Sequence, residues 1–195
     1  MEQGNIMTEF LYTPILRWKQ GEQGALRKVP PADRERMLPI AEIQQLEEGV
    51  AQPKLERQLL RSRGKTHPIG LDLAMAYNGP VPITDLADVA TRMQAGGVPA
   101  WPVLRAVHAI AGMASLSDLK GQPAVIVRAY GESTPLADLQ AVIAGVRKAC
   151  GKRMPIYVLL DLYALGDVDA SAKAAVLLKT SGASCPRLAR VRPSC

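Results

Sequence analysis

The segment Pro155-Ile-Tyr-Val-Leu-Leu-Asp-Leu-Tyr163 places one acidic residue, Asp161, inside an apolar run. Its β-branched and aromatic residues predict a β-strand. Five earlier segments repeat the pattern of an apolar run that contains one charged residue. In chain order, the predicted strands and their charged residues are 13–18 with Arg17, 38–43 with Glu42, 69–74 with Asp72, 101–105 with Arg105, 124–130 with Arg128, and 155–163 with Asp161.

The spacing of these strands predicts their arrangement. Their first residues lie 25, 31, 32, 23 and 31 residues apart, and the intervening segments have helical patterns. Eight βα repeats in a barrel of about 250 residues need roughly 31 residues each. We therefore expect an α/β fold, a parallel (β/α) barrel-like domain over residues 1–180 with about six βα units, as in an incomplete eight-stranded barrel. Residues 181–195 form a basic Ser, Cys and Arg tail that we expect to be disordered.

The charged strand residues favour a barrel over a doubly wound sheet. Helices cover both faces of a doubly wound sheet, so its strands are nearly continuous in apolar residues. In the last predicted strand, Leu160 and Leu162 point away from Asp161, because side chains alternate between the two faces. One face is then apolar and the other polar. In a barrel, the polar face points to the centre, and its C-terminal end forms the active-site region.

Three helices have recognisable starts. Thr84 is expected to cap a helix over 85–95, and Ser133 or Thr134 before Pro135 is expected to open a helix over 135–149. A helix over 52–63 has a leucine stripe and a basic face that we expect to be solvated, which includes Arg63. Asp169 or Ser171 is expected to cap a last helix that runs to about Lys179. Glycines break residues 106–122, which predicts a short helix and a turn.

The polar face supplies a candidate site, with two interpretations. As a pocket, it would bind a small anionic ligand through Arg17, Arg105 and Arg128, and would use Glu42, Asp72 and Asp161 as catalytic acids or bases. Four aromatic residues share this face and would line the same cavity, namely Trp101, Tyr130, Tyr157 and Tyr163, of which Trp101 and Tyr130 are the ligand-binding candidates. Alternatively, the six charges neutralise one another as a structural ion-pair network. The sequence leaves both open.

The composition excludes several classes of protein. The net charge of +6 would suit nucleic acid, but Arg187, Arg190 and Arg192 of the tail supply half of it, so nucleic acid binding is disfavoured. No apolar run reaches the roughly 18 residues of a membrane span. Three widely spaced cysteines suit a reducing cytoplasm. An incomplete barrel exposes two parallel edges, so we also expect self-association.

The start of the chain carries a family resemblance. Residues 12–26 read YTPILRWKQGEQGAL, and residues 38–43 read LPIAEI. The sequence resembles the phage beta protein family, whose hallmark is a strand that ends in W-K-x-G-E with A-L in the next helix. This hallmark is matched at Trp18, Lys19, Gly21, Glu22, Ala25 and Leu26, and later family patterns are matched at Pro39 with Glu42 and at Gly70 with Asp72.

The resemblance implies a setting in phages and prophages but no settled reaction. Lys19 and Glu22 follow the first strand, where Lys19 could bind an anionic group and Glu22 could act as an acid or base; the alternative is a salt bridge beside a helix start. Family members are usually longer, so the chain resembles a truncated front part. It is either a barrel enzyme or a non-enzymatic interaction protein in phage–host conflict.

Other motifs give little evidence of function. Gly64-Lys65-Thr66 lacks the earlier glycine of a P-loop. Asp161, Asp167 and Asp169 could suit Mg²⁺, but helix capping explains at least one of them, and we expect no metal site. His67 and His108 lack metal-binding or catalytic spacing and are expected to be structural or exposed. No motif identifies a cofactor.

Overall fold

A computed structural model of the chain describes residue 10 and residues 12–47, 52–130 and 134–161. The predicted last helix, Ser133, Tyr163, Asp167, Asp169 and the tail lie outside the described residues. The described strands are β1 (Ile15–Arg17), β2 (Ile40–Glu42), β3 (Ile69–Asp72), β4 (Ala100–Arg105), β5 (Val125–Tyr130) and β6 (Ile156–Asp161). The helices are α1 (Gln20–Lys28), α2 (Pro31–Glu35), α3 (Pro53–Arg63), α4 (Ile83–Ala95), α5 (Ala106–Ala109), a 3₁₀ helix (Met113–Leu119) and α6 (Leu136–Cys150).

The strands form one parallel sheet in the order β1-β2-β3-β4-β5-β6, so each strand pairs with its neighbour in sequence. Helical segments connect successive strands, as a barrel-like βα fold requires. The Arg128 side chain of β5 reaches Glu42 of β2 across the interior, with Nη1 and Oε1 2.7 Å apart. This contact between strands three positions apart shows that the sheet curls strongly. The predicted parallel α/β barrel-like fold is therefore confirmed.

The two faces of the sheet have separate apolar cores. Leu71 and Val127 point outward and pack with helix residues such as Leu86 and Val142. The inward face holds a second cluster of buried apolar residues, which are Phe10, Leu38, Ile40, Val103, Ile126 and Leu159. The alternation of faces that the sequence predicts thus separates a helix-packed core from a barrel interior.

Gly70 shows how tightly the interior is filled. A Cβ atom at this position would lie 2.8 Å from Ile126 Cδ1 and 3.1 Å from Val103 Cγ2, and closer still to Ile40 Cδ1. Such separations are shorter than an ordinary van der Waals contact of about 3.5–4.0 Å. Glycine is therefore the residue that lets β3 lie against these three apolar side chains.

The helices predicted within the described residues are present, but their starts and one of their faces differ from expectation. Thr84 lies inside α4 and does not cap it; its hydroxyl donates to Asp118 Oδ2 at 2.8 Å, and α4 begins after Pro82. No side chain caps α6 either. Thr134 Oγ1 instead accepts a hydrogen bond from the Tyr130 backbone N–H. Residues 106–122 form the expected short helix and turn, as α5 and the 3₁₀ helix.

The prediction of a solvated basic face on α3 is wrong at Arg63. Its side chain is buried, with Nε donating to the Pro68 carbonyl at 3.1 Å and Nη2 donating to the Met37 carbonyl. Burial, and to a lesser extent the nearby Arg34, lower the pKa of Arg63 to about 10. Arg63 therefore joins the end of α3 to the segments before β2 and β3. In the described part of the chain, no helix is both long and apolar enough to cross a membrane.

Candidate functional site

Five charged side chains meet inside the barrel at the C-terminal ends of the strands. They are Glu42, Asp72, Arg105, Arg128 and Asp161, which we call the charge cluster. Arg128 lies two residues before the end of β5, and the other four are the last residues of β2, β3, β4 and β6. All five lie on the face that points inward. The structure thus brings together five of the six predicted strand charges at the end of a βα barrel where active sites form.

Arg128 is the centre of the charge cluster. Its Nε and Nη2 donate to Asp161 Oδ2 at 3.2 and 2.6 Å, and its Nη1 donates to Glu42 Oε1 at 2.7 Å and Asp72 Oδ2 at 2.8 Å. The side chain is only 4% exposed. Burial alone lowers the pKa of Arg128, but the hydrogen bonds to Asp161 and Glu42 outweigh it and raise that pKa above its ordinary value. Arg128 is therefore a permanent buried cation.

Asp72 is fully engaged as an acceptor. Oδ1 accepts from Arg105 Nε at 3.1 Å and from the Ala74 backbone N–H at 3.1 Å. Oδ2 accepts from Arg105 Nε at 2.9 Å and from Arg128 Nη1 at 2.8 Å. Because the Asp72 side chain is only 1% exposed, its role in this state is to fix both guanidinium groups.

Arg105 and Glu42 form the solvent side of the charge cluster. Each side chain is 12% exposed, more than Asp72, Arg128 or Asp161. Arg105 Nη2 donates to Glu42 Oε1 at 3.2 Å, and no hydrogen bond of the described residues involves Arg105 Nη1. Both arginines bond the same oxygen of Glu42, so Oε2 takes part in neither contact. Arg105 and Glu42 are thus the most exposed members of the charge cluster.

Tyr130 lies against both guanidinium groups. Its ring centroid is 4.7 Å from Arg128 Cζ and 5.4 Å from Arg105 Cζ, which is cation–π geometry. Burial raises the pKa of Tyr130, while Arg128 and Arg105 partly oppose that rise. The phenol therefore remains protonated at neutral pH and forms an uncharged wall of the charge cluster.

The remaining predicted residues are more dispersed. Arg17 pairs with Glu42 in the sheet register, but its side chain is exposed. Lys19 is exposed just before α1, and Glu22 lies in the first turn of α1, where its buried Oε2 has no hydrogen-bond partner among the described residues. Trp18 of the W-K-x-G-E motif is buried, and its indole N–H donates to Gln58 Oε1 at 3.2 Å. The tryptophan of this motif is therefore a packing residue.

The aromatic residues do not all line one cavity. Trp101 and Tyr157 stack with ring centroids 5.2 Å apart, and Phe10 contacts both rings, at 5.9 and 5.7 Å. Trp101 and Tyr157 lie four residues before Arg105 and Asp161, or roughly 13 Å along an extended strand. Of the described aromatic residues, Tyr130 contacts the charge cluster, whereas Trp101 and Tyr157 belong to an aromatic layer at the other end of the interior.

A cleft beside the charge cluster is lined in part by His108, which the sequence predicts to be structural or exposed. Asp72, Arg105 and His108 line it together with apolar residues of α4, α5 and the β3–α4 connection. Burial lowers the pKa of His108 and Arg105 lowers it further, against a smaller opposite effect of Asp72. His108 is therefore a neutral imidazole at pH 7. No sequence spacing marked it, because it reaches the site through the short helix α5.

No described group of three or more His, Cys, Asp or Glu residues has an arrangement that could hold a metal ion. Asp161, the described member of the predicted acidic cluster, bonds Arg128. The described site is therefore built from arginines, carboxylates, one phenol and one imidazole. These groups can bind an anion and can exchange protons with it.

Comparison with known proteins gives one finding on relationship. A family model described as Beta protein matches residues 12–181, which is most of the chain. The matched range contains all six described strands and the whole charge cluster. No curated protein matches the chain.

Proposed function

The chain belongs to the Beta protein family, and from this membership and the charge cluster we propose that it is a phage- or prophage-associated protein that binds a small anionic ligand in its barrel interior. The observation that carries the proposal is the division of the charge cluster into a buried part and a solvent side. A cytoplasmic location is part of the proposal, because three widely spaced cysteines suit a reducing compartment.

Arg105 is the proposed anchor for the anion. Its Nε is held by both oxygens of Asp72, which fixes the plane of the guanidinium and leaves Nη1 without a hydrogen bond among the described residues. A pre-positioned guanidinium binds a carboxylate or phosphate through paired N–H groups and loses little side-chain entropy on binding. Arg17 and Lys19 add two exposed cations at the end of β1, next to the strand that carries Glu42.

Glu42 is the proposed acid or base, because it shares the solvent side with Arg105 and its Oε2 is outside both arginine contacts. Asp72 and Asp161 are less exposed and hold the arginines, so we assign them positioning roles. The buried ion-pair network and the ligand site are therefore two parts of one arrangement. No reaction is assigned to it.

A thermal-shift screen of small carboxylates, phosphates and sulfonates tests this proposal. A ligand present at 100 times its Kd should stabilise the parent protein by about 2.7 kcal/mol, which corresponds to roughly 5–10 °C in Tm. Arg105→Lys keeps the charge but loses the planar fork, so it should lose most of this shift. Arg61→Lys, the same change on the exposed face of α3, should respond like the parent. Equal shifts in all three proteins would place the binding elsewhere.

A second candidate function is an interaction protein in phage–host conflict. Exposed apolar side chains on the connections that follow β3 and β4 favour it, namely Met75, Tyr77, Val107 and Ile110. Affinity capture from host lysate separates the two functions. A partner captured equally by the parent and by Arg105→Lys favours this second function. If Val107→Asp and Ile110→Asp then lose that partner, these exposed apolar residues are part of the surface that binds it.

A further inference from the structure

The cleft beside the charge cluster has one polar side and one apolar side. Arg105 and His108 form the polar side, and Asp72 lies with them. The other lining residues are apolar and form the apolar side: Val81 of the β3–α4 connection, Ile83 and Leu86 of α4, Val103 and Leu104 of β4, and the smaller Ala74 and Ala109. The cleft is small and open to solvent, with room for a few heavy atoms.

The charges on the polar side favour an anionic group. Both oxygens of Asp72 are already occupied by Arg105, Arg128 and the Ala74 N–H, so its charge is compensated within the protein. Arg105 Nη1 remains available, and the neutral ring of His108 can donate one hydrogen bond. A carboxylate at this place would accept from both groups.

The apolar side adds a second requirement. Ile83 and Leu86 are buried, and Val81 is half-buried beside them, so an alkyl group in the cleft would leave water for an aliphatic surface. We propose that the cleft is a subsite for a short aliphatic chain, so that the protein takes short-chain aliphatic carboxylates in preference to inorganic anions. This inference rests on the proposed anion site at Arg105 and names the class of its ligand.

The experiment is a titration of the full chain with formate, acetate, propionate, butyrate and inorganic phosphate at pH 7, followed by the imidazole NMR signals. The chain has two histidines, so His108 reports on the cleft and His67 is an internal reference. Each buried methylene contributes about 0.8 kcal/mol, so Kd should fall roughly fourfold per added carbon until the cleft is full. The His108 signals should move and the His67 signals should not.

Two variants make the test specific. Val81→Phe fills the cleft from its rim and should abolish the dependence on chain length, while formate still binds. Leu136→Phe introduces the same side chain at an exposed position at the start of α6, outside the cleft, and it should behave like the parent. If Val81→Phe does not fold, Ala109→Leu fills the cleft from α5 and carries the same expectation.

The outcomes separate this inference from the proposed function. Formate and butyrate binding with equal Kd to the parent, or a gain with chain length that survives Val81→Phe, would overturn the aliphatic subsite. Phosphate binding that depends on Arg105, without any gain from longer carboxylates, would also overturn it and would leave the anion site standing. If no anion binds in an Arg105-dependent way, as judged with Arg105→Gln, the anion site and the subsite both fall.

Discussion

Replacing Arg128 by Met should be among the most damaging single changes to the described interior. Methionine has a similar length but carries no charge, so the substitution preserves much of the volume and removes the central cation. Arg105 would still bond Asp72 and Glu42. Asp161 would lose both contacts with Arg128 Nε and Nη2 while remaining only 9% exposed. The variant therefore leaves one guanidinium group, that of Arg105, in a cluster of three carboxylates.

The expected magnitude follows from the cost of breaking a buried ion pair. Removal of one partner costs about 3–5 kcal/mol, and each kcal/mol shifts the Tm of a domain of this size by roughly 2–4 °C, which gives a loss of about 6–20 °C. Urea unfolding, followed by circular dichroism, measures the free energy of unfolding directly. Arg61→Met, which removes an exposed arginine from α3, is the matched control and should stay within about 0.5 kcal/mol of the parent.

A double variant distinguishes loss of charge balance from loss of packing. Arg128→Met with Asp161→Leu removes both members of the shortest ion pair, so it should regain roughly 0.5–3 kcal/mol relative to the sum of the single changes. A loss below about 1 kcal/mol for Arg128→Met, or strict additivity in the double variant, would refute the view that charge compensation holds the interior together.

Three further predictions concern other parts of the structure. Gly70→Val should destabilise the protein by about 1–3 kcal/mol in urea unfolding, because its side chain would overlap Ile40 and Ile126, whereas Gly21→Val has open space and should cost less. His108 should titrate in NMR below its ordinary pKa of 6.5, because the folded protein favours the neutral imidazole. The free energy of unfolding should therefore be highest above pH 6.5 and should decrease as the pH falls through the lowered pKa. His108→Gln should remove this part of the pH dependence. Burial and the hydrogen bond to Asp85 raise the pKa of Tyr77 to about 12, so its phenolate absorbance should appear well above pH 10 and be absent in Tyr77→Phe.

Much of the sheet can be predicted from the sequence because the signals that specify it are local. β-Branched residues mark the strands, and the period of two places Glu42, Asp72 and Asp161 on one face of the predicted sheet. The curvature that brings Glu42 of β2 against Arg128 of β5 has no local signal, because the two residues are 86 positions apart. It depends on how the interior side chains pack, including the space that Gly70 leaves.

The features of Trp101, Arg63 and His108 that the sequence did not indicate have a common physical origin in position along an element. Trp101 has the same face parity as Arg105, but parity does not report height in the barrel, and Trp101 packs in the aromatic layer. Arg63 follows the basic pattern of α3, yet at the last position of that helix it lies within reach of the Met37 and Pro68 carbonyls. His108 reaches the cleft from a helix of only four residues, too short for a periodic signal.

On the proposed function, the layered interior separates the residues that stabilise the fold from those that would bind a ligand. Aromatic rings fill the N-terminal end, aliphatic side chains fill the middle, and the charge cluster occupies the C-terminal end. An uncompensated buried charge at that end would be costly. The carboxylates of the charge cluster neutralise the two arginines there and so avoid that cost. The atoms proposed to bind a ligand then lie on the solvent side, namely Arg105 Nη1 and Glu42 Oε2. Substitutions at Arg128 should therefore appear mainly as loss of stability, and substitutions at Arg105 mainly as loss of ligand response.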